Sequence, residues 1–290
     1  MKLKSLLIIL TVILLVLLST LQAQRHPVEI KIALEQDGSL SFNSVNHDYC
    51  DYYVNINFPE INGYMARGSI PYHGMIGVTP RKLLTIQRVA DAVSPAYTWN
   101  YRFYRGSIYV DLNLDYLYAL PVKPGDSIRI TRSVSRELEL VFNLKFAGDT
   151  VYACRSGIVC NNDFECYASR NGKFTVYHKD KSFSEHSGYD AVLAYPGTYV
   201  NIGDPILVVK EDEKGGKSVK FKNYFLDRDK VRNPETGYKY TPFLPLFHTA
   251  NAGDVKPEEK ITYVAALTEI MMMQDLSKKE MKKLEKKKKK

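Results

Sequence analysis

The chain has 290 residues, 45% of them apolar and 25% charged, with a formal net charge of +8. That charge is confined to the ends: residues 277–290 carry nine Lys and two Glu and Lys2 and Lys4 stand at the start, leaving a body of net −1. A near-neutral body excludes the clustered Lys/Arg face of a nucleic-acid-binding domain, while the length provides for one large or two small cores.

In chain order, Lys2 and Lys4 precede an apolar run from Leu6 to Leu18 and a small-residue stretch ending at Ala23. This pattern predicts a secretory signal over residues 1–23, with an apolar segment short for a bilayer span. No Cys follows the run to carry a lipid, so the expected destination is the periplasm or the extracellular space.

Alternating β-branched and aromatic residues then predict strands at 28–34, 52–58, 97–104, 126–131, 138–146, 173–179, 204–209, 218–226 and 260–267. Only residues 80–93 (PRKLLTIQRVADAV) have an apolar spacing that reads as a brief helix. Pro121, Pro124 and Gly125 mark a division between a β-rich N-terminal domain (24–120), expected to be sandwich-like, and a second β unit (121–268). Residues 151–160 read as a hairpin turning at Arg155–Gly157. Ser277 and Glu280 form a capping-box pattern, so the Lys-rich tail (269–290) is expected to begin as a helix. The fold class is therefore all-β with a short C-terminal helix. The tail is either a solvated end or a contact for anionic surfaces.

Cys50, Cys154, Cys160 and Cys166 are an even set whose spacings lack the paired ligands of zinc sites, which leaves buried thiols or one local bridge. No H-x-H or H-x-x-x-H pair exists among the six His. His178 and His186 flank KDKSFSE, so a hairpin would bring them together, and with Asp180, Glu185 or Asp190 they form an alternative metal set. Gly-x-Ser-x-Gly is absent, and EKGGKS (213–218) lacks the first glycine of a phosphate loop.

Four segments in fixed order, YALPVKPGDSIRITRS (118–133), LVFNLKFAGDTVYACRSGIV (140–159), FTVYHKDKSFSEHSGYDAV (174–192) and YVNIGDPILVV (199–209), resemble the core of the lysostaphin-type, LytM-like zinc peptidases. NHDYCDYYVNINFPEINGY (46–64) and YTWNYRFYRGS (97–107) resemble the β-rich domain that precedes some of these cores, and YTPFLPLFHT (240–249) resembles a strand that follows. The resemblance implies a β-sheet peptidase core whose turns are kept at Gly148, Gly157, Gly203 and Asp204.

The family's functional positions are where this chain departs from it. The metal-ligating Asp falls on Asn143, and no His stands in residues 133–140 upstream of it. The H-x-H strand falls on Ser218-Val219-Lys220, and the catalytic His falls on Ala191. An ammonium cannot ligate zinc, and without the metal the Lewis acid that polarises a peptide carbonyl is missing. The resemblance so read implies no zinc cofactor and no catalytic residue. It leaves a groove rebuilt from Asn143, Tyr189, Asp190, Ser218 and Lys220, serving an inactive binding protein of the cell envelope whose partner is peptidoglycan or a wall hydrolase. The alternatives are an active metal-dependent hydrolase built on His178 and His186, and a purely structural envelope protein.

Overall fold

The computed structural model describes residues 26–90, 94–133, 138–145, 148–161, 172–209, 217–233, 239–277 and 279–281. The expected signal segment, Cys166 and the lysine run after Met281 lie outside them. No helix among the described residues is long and apolar enough to cross a membrane.

The chain is all-β, as its alternation predicts. The N-terminal half comprises β1 (Val28–Leu34), β2 (Leu40–Asn46), β3 (Tyr52–Asn62), β4 (Tyr64–Arg67), β5 (Tyr72–Ile76), β6 (Arg81–Arg88) and β7 (Ala96–Arg105). They form two sheets, ordered β1-β2-β6-β4 and β5-β3-β7. Val28 and Ile30 point inward from β1 while Glu29 and Lys31 face water, the period-2 signature of a half-buried strand. Val28, Phe42 and Ile86 from the first sheet meet Tyr52, Val54 and Ile56 from the second in one shared core, so the unit is a sandwich.

Within the segment read as a helix at 80–93, Arg81–Arg88 form strand β6. Leu84 and Ile86 alternate into the core, and the strand pairs with both β2 and β4. With two sheet edges to bridge, strand pairing outweighs a weak 3.6-residue spacing.

The second half comprises β8 (Leu117–Tyr118), β9 (Ser127–Arg132), β10 (Leu140–Asn143), β11 (Thr150–Tyr152), β12 (Gly157–Val159), β13 (Lys173–Tyr177), β14 (Phe183–Ser187), β15 (Tyr189–Val192), β16 (Tyr199–Val200), β17 (Pro205–Val209), β18 (Ser218–Leu226), β19 (Tyr240–Phe243), β20 (Leu246–Thr249), β21 (Gly253–Val255) and β22 (Thr262–Val264). A large sheet runs β16-β12-β13-β14-β18-β10-β9-β22, with β19 also on β18, and two small sheets run β11-β17-β15 and β21-β20-β8. Phe142, Phe174 and Phe221 of the large sheet, Ile206 and Leu207 of the first small sheet and Phe247 of the second fill a common core. Each of these fully buried side chains contributes about 1.5–3 kcal/mol of burial free energy. Tyr116, Tyr118 and Leu120, which precede the expected division at Pro121, join this core.

The expected hairpin at 151–160 does not form. β11 pairs with β17, whereas β12 pairs with β13 and β16, so the chain changes sheets at Arg155. The partners that β11 finds across the Gly203 turn account for the difference: Ala153 N–H donates to Asp204 O and Gly203 N–H to Ala153 O, both at 2.8 Å. Gly203 holds φ +86°, a left-handed backbone that suits glycine.

The opposite face of the large sheet is partly covered by the N-terminal sandwich. Tyr177, Phe183 and Tyr224 from that face pack into the sandwich core together with Cys50 and Cys160. A second fastening comes from the C-terminal segment. The helical turn Glu269–Met273 buries Met271 against Ala119 and Ile202. Gln274 bonds both the N–H and the carbonyl of Leu117, at 2.9 and 3.0 Å. Asp275 accepts from Tyr116 Oη at 2.6 Å and lies 3.7 Å from the buried Arg155, which also pairs with Asp180 at 2.8 Å. The Ser277–Glu280 capping box is formed, with Ser277 N–H donating to Glu280 at 2.8 Å.

Candidate functional site

Antiparallel pairing of β10 with β18 sets Asn143 directly opposite Ser218 and Val141 opposite Lys220. Residues two apart on a strand share a face, so Asn143, Ser218 and Lys220 stand together on the face of the large sheet that looks away from the phenylalanine core. Arg129 lies opposite Asn143 on β9, and Ser187 lies opposite Lys220 on β14. Farther along the same face, Glu185 pairs with Lys222 at 2.9 Å and with Lys173 at 3.4 Å. Tyr224 and Leu226 at the far end are buried, while Lys220 is exposed. The uncovered corner is thus a polar platform carrying Arg129, Lys173, Lys220 and Lys222 against Glu185. Lys220 has no acidic partner among the described residues. Asn143 also lines a cleft of about 320 Å³ with Lys123, Asp126, Lys145, Asp149 and Tyr152.

Tyr189, Asp190 and Ala191 belong to β15 in a different sheet. The chain leaves the large sheet at Gly188, whose φ is +87° and whose Cα lies so close to Ser218 O that an added Cβ would sit 3.0 Å from it. Tyr189 turns back toward the core, edge-on to Phe174 at 6.5 Å. Asp190 and Ala191 are exposed. The structure therefore brings Asn143, Ser218 and Lys220 onto one face and places Tyr189, Asp190 and Ala191 on a strand that starts beside it.

These residues do not fit a zinc ion. The Asn143 side-chain amide donates to Arg129 O at 3.1 Å and Thr131 Oγ1 at 3.4 Å. Its strand neighbours at this corner are a hydroxyl and an ammonium, neither of which makes a zinc ligand set with it.

His178 and His186 do share the β13–β14 hairpin, on the inner face. His178 Nδ1 is 2.8 Å from Ser156 O and Nε2 is 2.7 Å from Ser184 Oγ. Burial, followed by the Arg155 charge, pushes its pKa down to about 3, so the ring is neutral at pH 7. A neutral ring that donates from Nδ1 to the carbonyl accepts at Nε2 from the Ser184 hydroxyl. Ser184 Oγ also lies 2.6 Å from Asn223 Oδ1, so the hydroxyl stands between the ring and the amide oxygen. The arrangement has the form of a nucleophile with its base, but His178 and Ser184 are each 2% exposed and no substrate reaches them.

His186 is 1% exposed, packed on Phe221 at 5.0 Å, and neither ring nitrogen has a hydrogen-bond partner among the described residues. Burial pushes its pKa down to about 4. The carboxylates that could join these imidazoles are engaged elsewhere, Asp180 with Arg155 and Glu185 with Lys222 and Lys173. Asp190 is exposed on β15.

One cluster is invisible in sequence patterns. Asp48, Cys50 and Cys160 form the only trio of candidate ligand atoms among the described residues lying within 4.8 Å of one another. No local spacing signals it, because Cys50 lies just before β3 and Cys160 just after β12, far apart in the chain. Cys154 lies in the other core, away from Cys160.

No family model matches the chain, and no curated protein matches it. Among solved structures, the chain is similar to a zinc-containing peptidase from Vibrio cholerae at 12% identity and TM-score 0.26, over 68% of this chain and 82% of that one. It is similar to Helicobacter pylori Csd3 in a hexagonal crystal at 12% identity and TM-score 0.29, over 70% and 72% of the two chains. Csd3 in an orthorhombic crystal gives 12% identity and TM-score 0.28, over 91% and 76%. At this level of likeness the functional reading rests on the site's own donors.

Proposed function

We propose that the protein is an exported, non-catalytic, peptidase-like binding protein of the cell envelope, which uses the polar platform around Asn143, Ser218 and Lys220 to hold a carboxylate-bearing wall polymer or a partner hydrolase. One observation supports the reading: Asn143 stands opposite Ser218, with Lys220 exposed on the same face, so the corner offers an amide, a hydroxyl and an ammonium rather than the imidazoles and carboxylate of a zinc ligand set. Such a corner cannot assemble the Lewis acid of a metallopeptidase, yet it donates hydrogen bonds to an anionic peptide. Lys220 and Arg129 supply charge that steers acidic ligands and loses strength with salt.

The test is cosedimentation of the purified protein with isolated peptidoglycan, with released fragments analysed by mass spectrometry. Binding without fragment release, unchanged by chelator and weakened at least about tenfold by Lys220→Glu (roughly 1.4 kcal/mol), is expected. Chelator-sensitive release of wall peptides refutes the proposal, as does the absence of binding to both peptidoglycan and envelope proteins.

A further inference from the structure

Cys50 and Cys160 come from the two halves of the molecule and are 1% and 0% exposed. Their sulfur atoms lie within 4.8 Å of each other, with the Cys50 thiol donating to Asp48 Oδ2 at 3.3 Å and the Cys160 thiol to Ile158 O at 3.9 Å. Both are unbridged in this structure. Asp48 is the third member of the cluster, and its carboxylate has no capacity left for a metal. Oδ2 accepts from Arg105 Nε at 2.9 Å and from Tyr52 Oη at 2.8 Å, with the Cys50 thiol at 3.3 Å. Arg105 Nη2 lies 2.8 Å from the same oxygen. Oδ1 accepts from the N–H groups of Asn161 and Tyr49, each at 2.7 Å. Two thiols alone do not make a metal centre, because structural zinc takes four ligands.

We propose that Cys50 and Cys160 are the two ends of a redox-closed staple, a disulfide joining the N-terminal sandwich to the large C-terminal sheet. Closing the bridge requires side-chain rotation that carries the sulfurs from this separation to the bonding distance of about 2.05 Å. The oxidant is a disulfide donor. One cysteine thiolate attacks the donor's S–S bond and expels a thiolate, forming a mixed disulfide. The second cysteine thiolate then attacks that mixed disulfide, forming the Cys50–Cys160 bond and expelling the donor's other half. Two electrons pass to the donor, which leaves as two thiols carrying the two cysteine protons.

Closure belongs to the folding chain. In the folded protein, burial raises the Cys50 thiol well above its ordinary pKa, and the neighbouring Cys160 and Asp48 raise it further, which disfavours the Cys50 thiolate, while neither sulfur is open to a donor. The same burial shields the finished bond from reductant. Beside it, Arg105 Nη2 donates to Asn161 O at 2.9 Å and Asn161 N–H donates to Asp48, so a polar network crosses the same seam and holds the two cysteines in register.

The test refolds the full chain in a mixture of reduced and oxidised glutathione, alkylates it in denaturant without reduction, and maps the peptides by mass spectrometry. The expected product is one linked peptide pair carrying Cys50 and Cys160, two hydrogens lighter than the separate thiols, with Cys154 and Cys166 alkylated. Alkylation of both Cys50 and Cys160, or their pairing with other cysteines, overturns the assignment. So does protection of both by added zinc with no linked peptide. In denaturant titrations, reduction is expected to lower the midpoint of the wild type and leave Cys160→Ser unmoved. An equal shift in that variant overturns the staple. The peptide map needs no variant to fold and reads independently of wall binding.

Discussion

Replacing Arg155 by Met tests whether the C-terminal segment is held by charge. The guanidinium side chain is 2% exposed and pairs with Asp180, itself 8% exposed, and Asp275, 10% exposed. It also donates to Tyr118 Oη at 3.0 Å and stacks 3.7 Å from the centre of the Tyr116 ring. Met keeps most of the volume and strands two carboxylates in the interior. Breaking a buried pair in this way costs about 3–5 kcal/mol, which in a protein of this size lowers the melting temperature by roughly 6–20 °C. The pH dependence gives a sharper readout. Burial raises the pKa of Asp180, but the Arg155 charge and the Ser182 hydroxyl more than offset it and hold the carboxyl below its ordinary value. A depressed carboxyl contributes stability above its unfolded pKa of about 3.9 and loses it as the pH falls through the folded value. Without Arg155, protonation relieves the stranded acids, so the variant's deficit is largest near neutrality and shrinks toward about pH 4. Urea unfolding of wild type and variant at several pH values measures this. A deficit under about 1 kcal/mol at neutral pH, or one that does not change with pH, refutes the ion-pair account.

His186 has a folded pKa of about 4 against 6.5 for the free group, so the unfolded chain binds the extra proton between those values and stability falls as the pH drops through that window, by up to about 3 kcal/mol from this residue. His186→Leu is expected to flatten that slope in pH-dependent denaturant titrations and, by removing two unpartnered nitrogens, to leave stability at pH 7 equal or raised by about 1 kcal/mol; a steeper slope in the variant contradicts it. At Gly157 an added Cβ would sit 2.5 Å from the Tyr177 carbonyl, so Gly157→Ala should destabilise by at least about 2 kcal/mol in calorimetry, and an unchanged melting temperature speaks against the β12–β13 packing. Ser277→Ala removes one half of the capping box and should speed amide exchange in residues 277–281 without moving the global melting point; unchanged exchange there counts against the cap.

Legibility of the fold followed how local its determinants are. β1 and β18 begin and end where their alternation does, because each exposes one set of residues and buries the other along most of its length. β6 defeated the pattern because Leu83 and Leu84 are adjacent, and only its partners on both sides decide the period. The turn at Arg155 read as a hairpin because Val151 and Ile158 flank turn residues; the sheet change depends on Gly203 and Asp204, far along the chain. At the site, the sequence reveals that Asn143, Ser218 and Lys220 are poor ligands, a matter of side-chain chemistry. Their meeting on one face is a matter of strand pairing, which no short segment encodes. The Arg155 clasp and the Cys50–Cys160 contact have the same long-range origin.

β18 lies between β14 and β10, strands that precede it by tens of residues. A growing chain has therefore made both flanking strands before the one that joins them exists, and each waits with an unpaired edge, the exposure that invites pairing with a neighbouring chain. The Lys-rich β18, with Lys220 and Lys222 on its outward face, closes both edges in one step late in synthesis. The interval before residue 226 emerges is thus one in which the edges of β14 and β10 both wait unpaired.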